Sequence, residues 1–181
     1  SGAGWSPRGG HTSLVFDDGV GVKMFILGGV STSYMNDVWS SLDGASWTQV
    51  GTANWDKRRK HTSLVFDDGG GEQMWVLGGV STSYMNDVWS SLDGVTWTQV
   101  GTANWAKRSG ATSLVFNDGG GDKMWMLGGD DGAQYFNDVW YSTSGVVWTR
   151  AVSGAGWSPR GGHTSLVFDD GGGLKMWVIG G

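Results

Sequence analysis

The chain has 181 residues, 39% of them hydrophobic, and carries a net charge of −5. It is therefore long enough to bury a core, and its composition is not that of a disordered segment. Without cysteine, disulfides, thiolate nucleophiles and cysteine-ligated zinc are excluded, and the acidic balance argues against a partner such as nucleic acid that is bound by counterion release.

No run of residues approaches the ~18 consecutive apolar positions of a spanning helix, and the first residues lack a signal-peptide pattern. A soluble chain with no membrane insertion is expected. Its compartment is not encoded, with an extracellular or cell-surface setting weakly favoured. The content of 34 Gly and 13 Trp against 2 Pro suits short strands joined by glycine turns, so the expected class is all-β.

Four strand-like runs appear in chain order within the first fifty-odd residues: a at 11–16, b at 23–27, c at 37–41 and d at 46–50. Strand a alternates, with Thr12, Leu14 and Phe16 on one face and Ser13 and Val15 on the other. Strand b contains MFIL, apolar on both faces, and must be covered on both sides. The separators DDGVG, GGVSTSYMN and LDGA are turn chemistry.

The same order then returns. HTSLVF at His11 recurs at His61, as ATSLVF at Ala111 and again at His163, and between Val30 and Trp55 the first unit differs from Val80 to Trp105 only at Ala45/Val95 and Ser46/Thr96. A four-stranded unit of this length that is apolar on both faces cannot satisfy itself and must stack on copies of itself. The expectation is a β-propeller of four-stranded antiparallel blades at about 11–52, 61–102 and 111–152, with a two-stranded half blade at 163–181, all in a single repeat domain.

The set of motifs resembles the Kelch repeat: Gly-Gly after strand b (Gly28-Gly29, Gly78-Gly79, Gly128-Gly129, Gly180-Gly181), then N-D-V-W (Asn36 to Trp39, Asn86 to Trp89, Asn137 to Trp140), then a later Trp (Trp47, Trp97, Trp148). Arg8, Arg58, Arg108 and Arg160 stand three residues before strand a. One departure is that Ser41, Ser91 and Ser142 replace the usual Kelch tyrosine. The SLDGASW turn at Ser41 to Trp47 is also similar to the Asp-box of sialidase-like propellers, one residue short.

Propellers close with roughly four to eight blades, so three and a half units leave apolar blade faces and the edge of the last strand b uncovered. Three explanations stand: a piece of a longer repeat protein, copies that complete one ring, or a small strained ring. Self-association through exposed blade edges is accordingly one expected partner mode.

Candidate binding residues follow from the loops. Trp5, Trp55, Trp105 and Trp157 lie six residues before each strand a in the d–a loops, where tryptophans beside Arg or Lys either serve a protein- or sugar-binding surface or plug the groove between blades. Tyr34, Tyr84 and Tyr135 occupy the b–c loops, the most variable segment of the repeat. Arg58 and Arg108 belong either to a cationic ring or to Arg–Asp pairs that lock strand ends, and the pairs are favoured. The D-D-G-G-G hairpins read as turns rather than calcium loops, and the equivalent histidines read as packed side chains. No metal or cofactor is expected.

The resulting expectation is a non-enzymatic interaction or scaffold module that binds a protein or glycan through the d–a and b–c loops. A self-assembling structural repeat is the alternative. An enzyme ranks third, because nearly every candidate residue is a repeat-wide copy and the cysteine of the Kelch-like oxidases is absent.

Overall fold

The protein is described by a computed structural model covering residues 3–181. Fourteen strands and no helix are present among the described residues. The first blade comprises β1 (Thr12–Asp17), β2 (Val22–Val30), β3 (Tyr34–Ser41) and β4 (Thr48–Thr52). The second repeats them as β5 (Thr62–Asp67), β6 (Glu72–Val80), β7 (Tyr84–Ser91) and β8 (Thr98–Thr102).

The third blade has β9 (Thr112–Asn117), β10 (Asp122–Leu127), β11 (Val139–Ser142) and β12 (Thr149–Val152). The chain finishes with the hairpin β13 (Thr164–Asp169) and β14 (Leu174–Ile179). Each sheet is an antiparallel meander in sequence order, four-stranded three times and two-stranded once.

Strands β1, β5, β9 and β13 are successive neighbours along the inner side of the array, so strand a of every unit lines the axis and strand d lies outermost. One face of each blade packs on the opposite face of the next. Between the first two blades, Leu14, Phe16, Phe25 and Leu27 meet Val65, Met74 and Val76. Their equivalents Leu64, Phe66, Trp75 and Leu77 meet Val115, Met124 and Met126. Leu114, Phe116, Trp125 and Leu127 then meet Val167, Met176 and Val178 of the last hairpin. These side chains are brought together because strand a alternates and strand b is apolar on both faces. The architecture is three complete β-propeller blades and a half blade, arranged as an open arc.

The Gly-Gly pair bends strand b at its exit. Gly28 and Gly29 have φ of +54° and +104°, and the β2–β3 register shifts between Leu27 and Gly29. A Cβ on Gly28 would stand 3.0 Å from the Met35 carbonyl oxygen and 3.1 Å from that of Arg58, so the position demands glycine for space as well as for conformation.

Strand c starts earlier than expected. Tyr34 and Met35 pair with Val30 and Gly29, which places Tyr34 and Tyr84 at strand ends and not in a loop. Strand d starts later, because Asp43 accepts backbone hydrogen bonds from Ala45 and Ser46 at 2.9 and 2.7 Å and holds those residues in the turn. These bonds hold the Asp43 carboxyl down to about 2. The Asp-box-like turn is thereby accounted for as a capped hairpin.

Candidate functional site

The repeated N-D-V-W segment organises the end of each blade where the b–c and d–a connections emerge. Asn36 donates to the carbonyl oxygens of Ala53 and Trp55 at 2.7 and 3.2 Å, fixing the linker to the next blade. Asp37 accepts a bidentate pair from Arg8 at 2.7 and 2.8 Å and a third bond from Trp39 Nε1 at 2.6 Å. Val38 is fully buried. Burial raises the Asp37, Asp87 and Asp138 carboxyls, but the arginine and tryptophan donors outweigh it and leave all three below the ordinary range.

Two groups of the expected binding residues are consequently corrected. Arg58 and Arg108 are 0% and 1% exposed, committed to Asp87 and Asp138 and to the carbonyl oxygens of Gly78 and Gly128. They are locks within a blade, unavailable to a ligand. Trp55 and Trp105 are each 1% exposed and pack edge-on against Trp97 and Trp148 with ring centroids 6.0 and 6.1 Å apart. Burying an indole against another indole and an arginine stabilises the blade more than presenting it to solvent would. Trp5 and Trp157 occupy the same position in the terminal units and are half-buried.

The tyrosines remain at the surface. Tyr34 and Tyr84 are partly exposed and Tyr135 is 60% exposed. Around them the repeat symmetry breaks. Where other units carry Gly9-Gly10, Ser109-Gly110 and Gly161-Gly162, the second carries Arg59-Lys60. The backbone amides of Lys60, Gly110 and Gly162 bond the carbonyl oxygens of Gly10, Lys60 and Gly110 in turn, at 2.7 to 2.8 Å, forming a chain of links around the axis.

Gly10, Gly110 and Gly162 hold φ of +64°, +62° and +71°, and Lys60 adopts +53° in the same place. Lysine in this region is strained by contact of its Cβ with the backbone. Replacing Lys60 by glycine is expected to raise unfolding stability by about 0.5–1 kcal/mol, the relieved strain less glycine's added unfolded-state entropy. Urea unfolding of Lys60→Gly measures it, and an unchanged or lower midpoint would contradict the strain.

The guanidinium of Arg59 lies over the Tyr34 ring at 5.7 Å, and its Nε is buried without a hydrogen-bond partner. Neither Arg59 nor Lys60 forms an ion pair among the described residues. Across the axis side of the next blade, Tyr84 Oη donates to Asp130 at 3.3 Å and Ser109 Oγ to the same carboxylate at 3.4 Å. Burial and then the charge of Asp130 raise the Tyr84 phenol above its ordinary value. A separate groove of about 530 Å³ runs between the linker of Asn54 to Lys57 and the turn of Ser81 to Ser83.

The Arg59-Lys60 pair was absent from the sequence-based candidates, although RRK set against RGG, RSG and RGG is a readable signal.

The acidic a–b hairpins are occupied by their own turns. Asp67 accepts the amides of Gly69 and Gly71 at 2.8 and 2.9 Å, while Asp118 and Asp170 pair with Lys123 and Lys175. No cluster of three metal-ligating side chains occurs among the described residues.

No protein family matches the sequence, and no curated protein matches it. Solved structures do match, 108 chains of them. One is the structure of YjhT, 18% identical, aligned over 88% of this chain and 56% of that one, with a TM-score of 0.67. The chain thus spans little more than half of the length of YjhT. At this identity the likeness establishes the propeller fold alone.

Proposed function

We propose that the chain is a Kelch-like propeller segment acting as a non-enzymatic interaction module, which binds a protein or glycan surface at the end where the b–c connections surround the axis. The observation that carries this reading is the break in repeat symmetry there. Arg59 lies over Tyr34, Tyr84 and Tyr135 adjoin Asp130 on the same end, and neither Arg59 nor Lys60 has an ion pair among the described residues, on a scaffold that otherwise repeats itself. Rigid sheets carrying variable, aromatic and charged ends are suited to recognition.

A catalytic reading finds less support. The two hydroxyl–imidazole pairs, Thr12–His61 at 2.9 Å and Thr112–His163 at 3.0 Å, lie between blades, and the Nδ1 atoms of both histidines have no partner to orient them.

Arrays of immobilised glycans and peptides, probed with the wild-type chain and with the Arg59→Ala, Tyr135→Ala double variant, test the proposal. The wild type is expected to bind a defined class and the variant to lose about tenfold or more in affinity with its fold intact, as removal of central aromatic and arginine contacts does. Equal binding by both would place the surface elsewhere.

A further inference from the structure

The two ends of the arc present opposite halves of one interface. On the last hairpin, Leu166, Phe168, Trp177 and Ile179 are 41%, 56%, 38% and 50% exposed. Their equivalents in the earlier units form the face that covers the next blade. On the first blade, Val15 is 59% exposed and borders a groove of about 480 Å³ with Met24, Ile26 and Trp47. Equivalents of Val15, Met24 and Ile26 are what that covering face meets at every internal junction.

The match extends beyond apolar area. At the internal junctions a b-strand aromatic sits against the glycine of the next blade's c–d turn: a Cβ on Gly94 would lie 2.8 Å from Phe25, and one on Gly145 would lie 2.2 Å from Trp75. Gly44, the first of these glycines, meets no aromatic ring, and Trp177 meets no glycine; Trp125 meets none either, because the β13–β14 hairpin it faces has no c–d turn.

The polar links show the same vacancy at both ends. Thr12 bonds His61 and Thr112 bonds His163 across junctions, whereas no such bond joins Thr164 to His11. The amides of Gly29, Gly79 and Gly129 bond the carbonyl oxygens of Arg58, Arg108 and Arg160, and Gly181 and Arg8 are the corresponding donor and acceptor left over.

We infer that copies of this chain dock head to tail, the outer face of the β13–β14 hairpin covering the open face of the first blade of a second copy. The occupant is a second copy because the strand-a and strand-b apolar residues, the Thr164 and His11 side chains and the Gly181 and Arg8 main-chain groups on the two ends are complements in the geometry that the internal junctions already use. The interface is heterologous, and such interfaces make closed rings when the rotation permits. Two copies bring six four-stranded and two two-stranded sheets to one axis, within the roughly four to eight that propellers accommodate. This inference concerns the ends of the arc and is independent of ligand binding near Tyr135.

Light scattering of the wild type, of Phe168→Asp and of Val15→Asp tests it, with near-ultraviolet circular dichroism reporting the fold. Both side chains are surface-exposed in the isolated chain, so each variant is expected to fold. The wild type is expected at twice the 19.2 kDa monomer mass, or higher if docking repeats without closing. Each variant alone falls to the monomer. Mixing the two restores a pair, because one retains a working hairpin face and the other a working blade face. A wild-type monomer throughout the micromolar range, or association that only one substitution disrupts, would overturn the inference. Loss of association by Phe168→Asp alone would point instead to hairpin-to-hairpin pairing.

Discussion

Replacing Arg58 by alanine is expected to lower the unfolding free energy by about 3–5 kcal/mol, the usual consequence of leaving one partner of a buried ion pair behind. The side chain is wholly buried and gives Asp87 two bonds at 2.7 and 2.6 Å and the Gly78 carbonyl one at 2.8 Å. Its main chain meanwhile bonds the preceding blade, through the Met35 carbonyl at 3.0 Å and the Gly29 amide at 2.9 Å. One residue therefore joins two blades and closes the inner end of the second. Alanine preserves the main-chain links but strands the carboxylate of Asp87, which then keeps only the Trp89 indole at 2.7 Å.

Lysine at 58 should recover little, since an ammonium cannot reproduce the planar two-pronged contact. Arg160 provides the internal control. Its guanidinium reaches the Gly180 carbonyl but no carboxylate, because the last hairpin lacks a strand c. Arg160→Ala is expected to cost below about 1 kcal/mol. Urea midpoints of the three variants measure the series, and equal losses for Arg58→Ala and Arg160→Ala would contradict the lock.

The blade itself was legible because one physical requirement recurs in every period. Alternation in strand a, an apolar strand b and a Gly-Gly exit admit few arrangements other than stacked four-stranded sheets. The Arg–Asp pairing was legible for a related reason, since both residues return in all three complete blades, 29 residues apart in the first two and 30 in the third. Trp55 and Trp105 were harder to place. A tryptophan in a loop next to basic residues has the same local pattern whether it faces solvent or folds back onto Trp97 or Trp148, and only the path of the linker held by Asn36 or Asn86 decides it.

Strict repetition of these indoles is better explained by packing than by recognition, and the functional surface is better sought where repetition fails. By that criterion Arg59 and Lys60 stand out. Their significance is hidden in a linear reading because RRK resembles an ordinary solvated cluster. What distinguishes Lys60 is a left-handed backbone that glycine adopts at the other three positions, and dihedral angles are not written in residue types.

The histidines between blades lead to the second large effect. His61 is 4% exposed, with Nε2 2.9 Å from Thr12 Oγ1 and no partner at Nδ1. Desolvation and then the neighbouring charges of Arg58 and His11 push its imidazole down to about 3, while Leu27 and Asp87 pull weakly the other way. The unfolded side chain titrates near its ordinary value of 6.5. Between pH 6.5 and about 3 the unfolded state binds a proton that the folded state refuses, so stability is complete above 6.5 and falls as the pH drops through that window.

The slope for one group is about 1.4 kcal/mol per pH unit, which gives about 2–3 kcal/mol lost between pH 7 and 4.5. His11 and His163 are shifted in the same direction and add to it. The paired carboxylates have depressed values too, but their contribution disappears only below the ordinary carboxylate range, leaving the interval from 6.5 to about 4.5 to the histidines. His61→Ala isolates the residue. The third blade already carries Ala111 at the equivalent position, where Thr62 bonds Ser113 at 2.6 Å instead. The variant should be less stable at pH 7 and distinctly flatter between pH 7 and 4.5. Urea unfolding of both proteins across that interval decides the matter, and parallel curves would mean that the proton taken up on acid unfolding goes elsewhere.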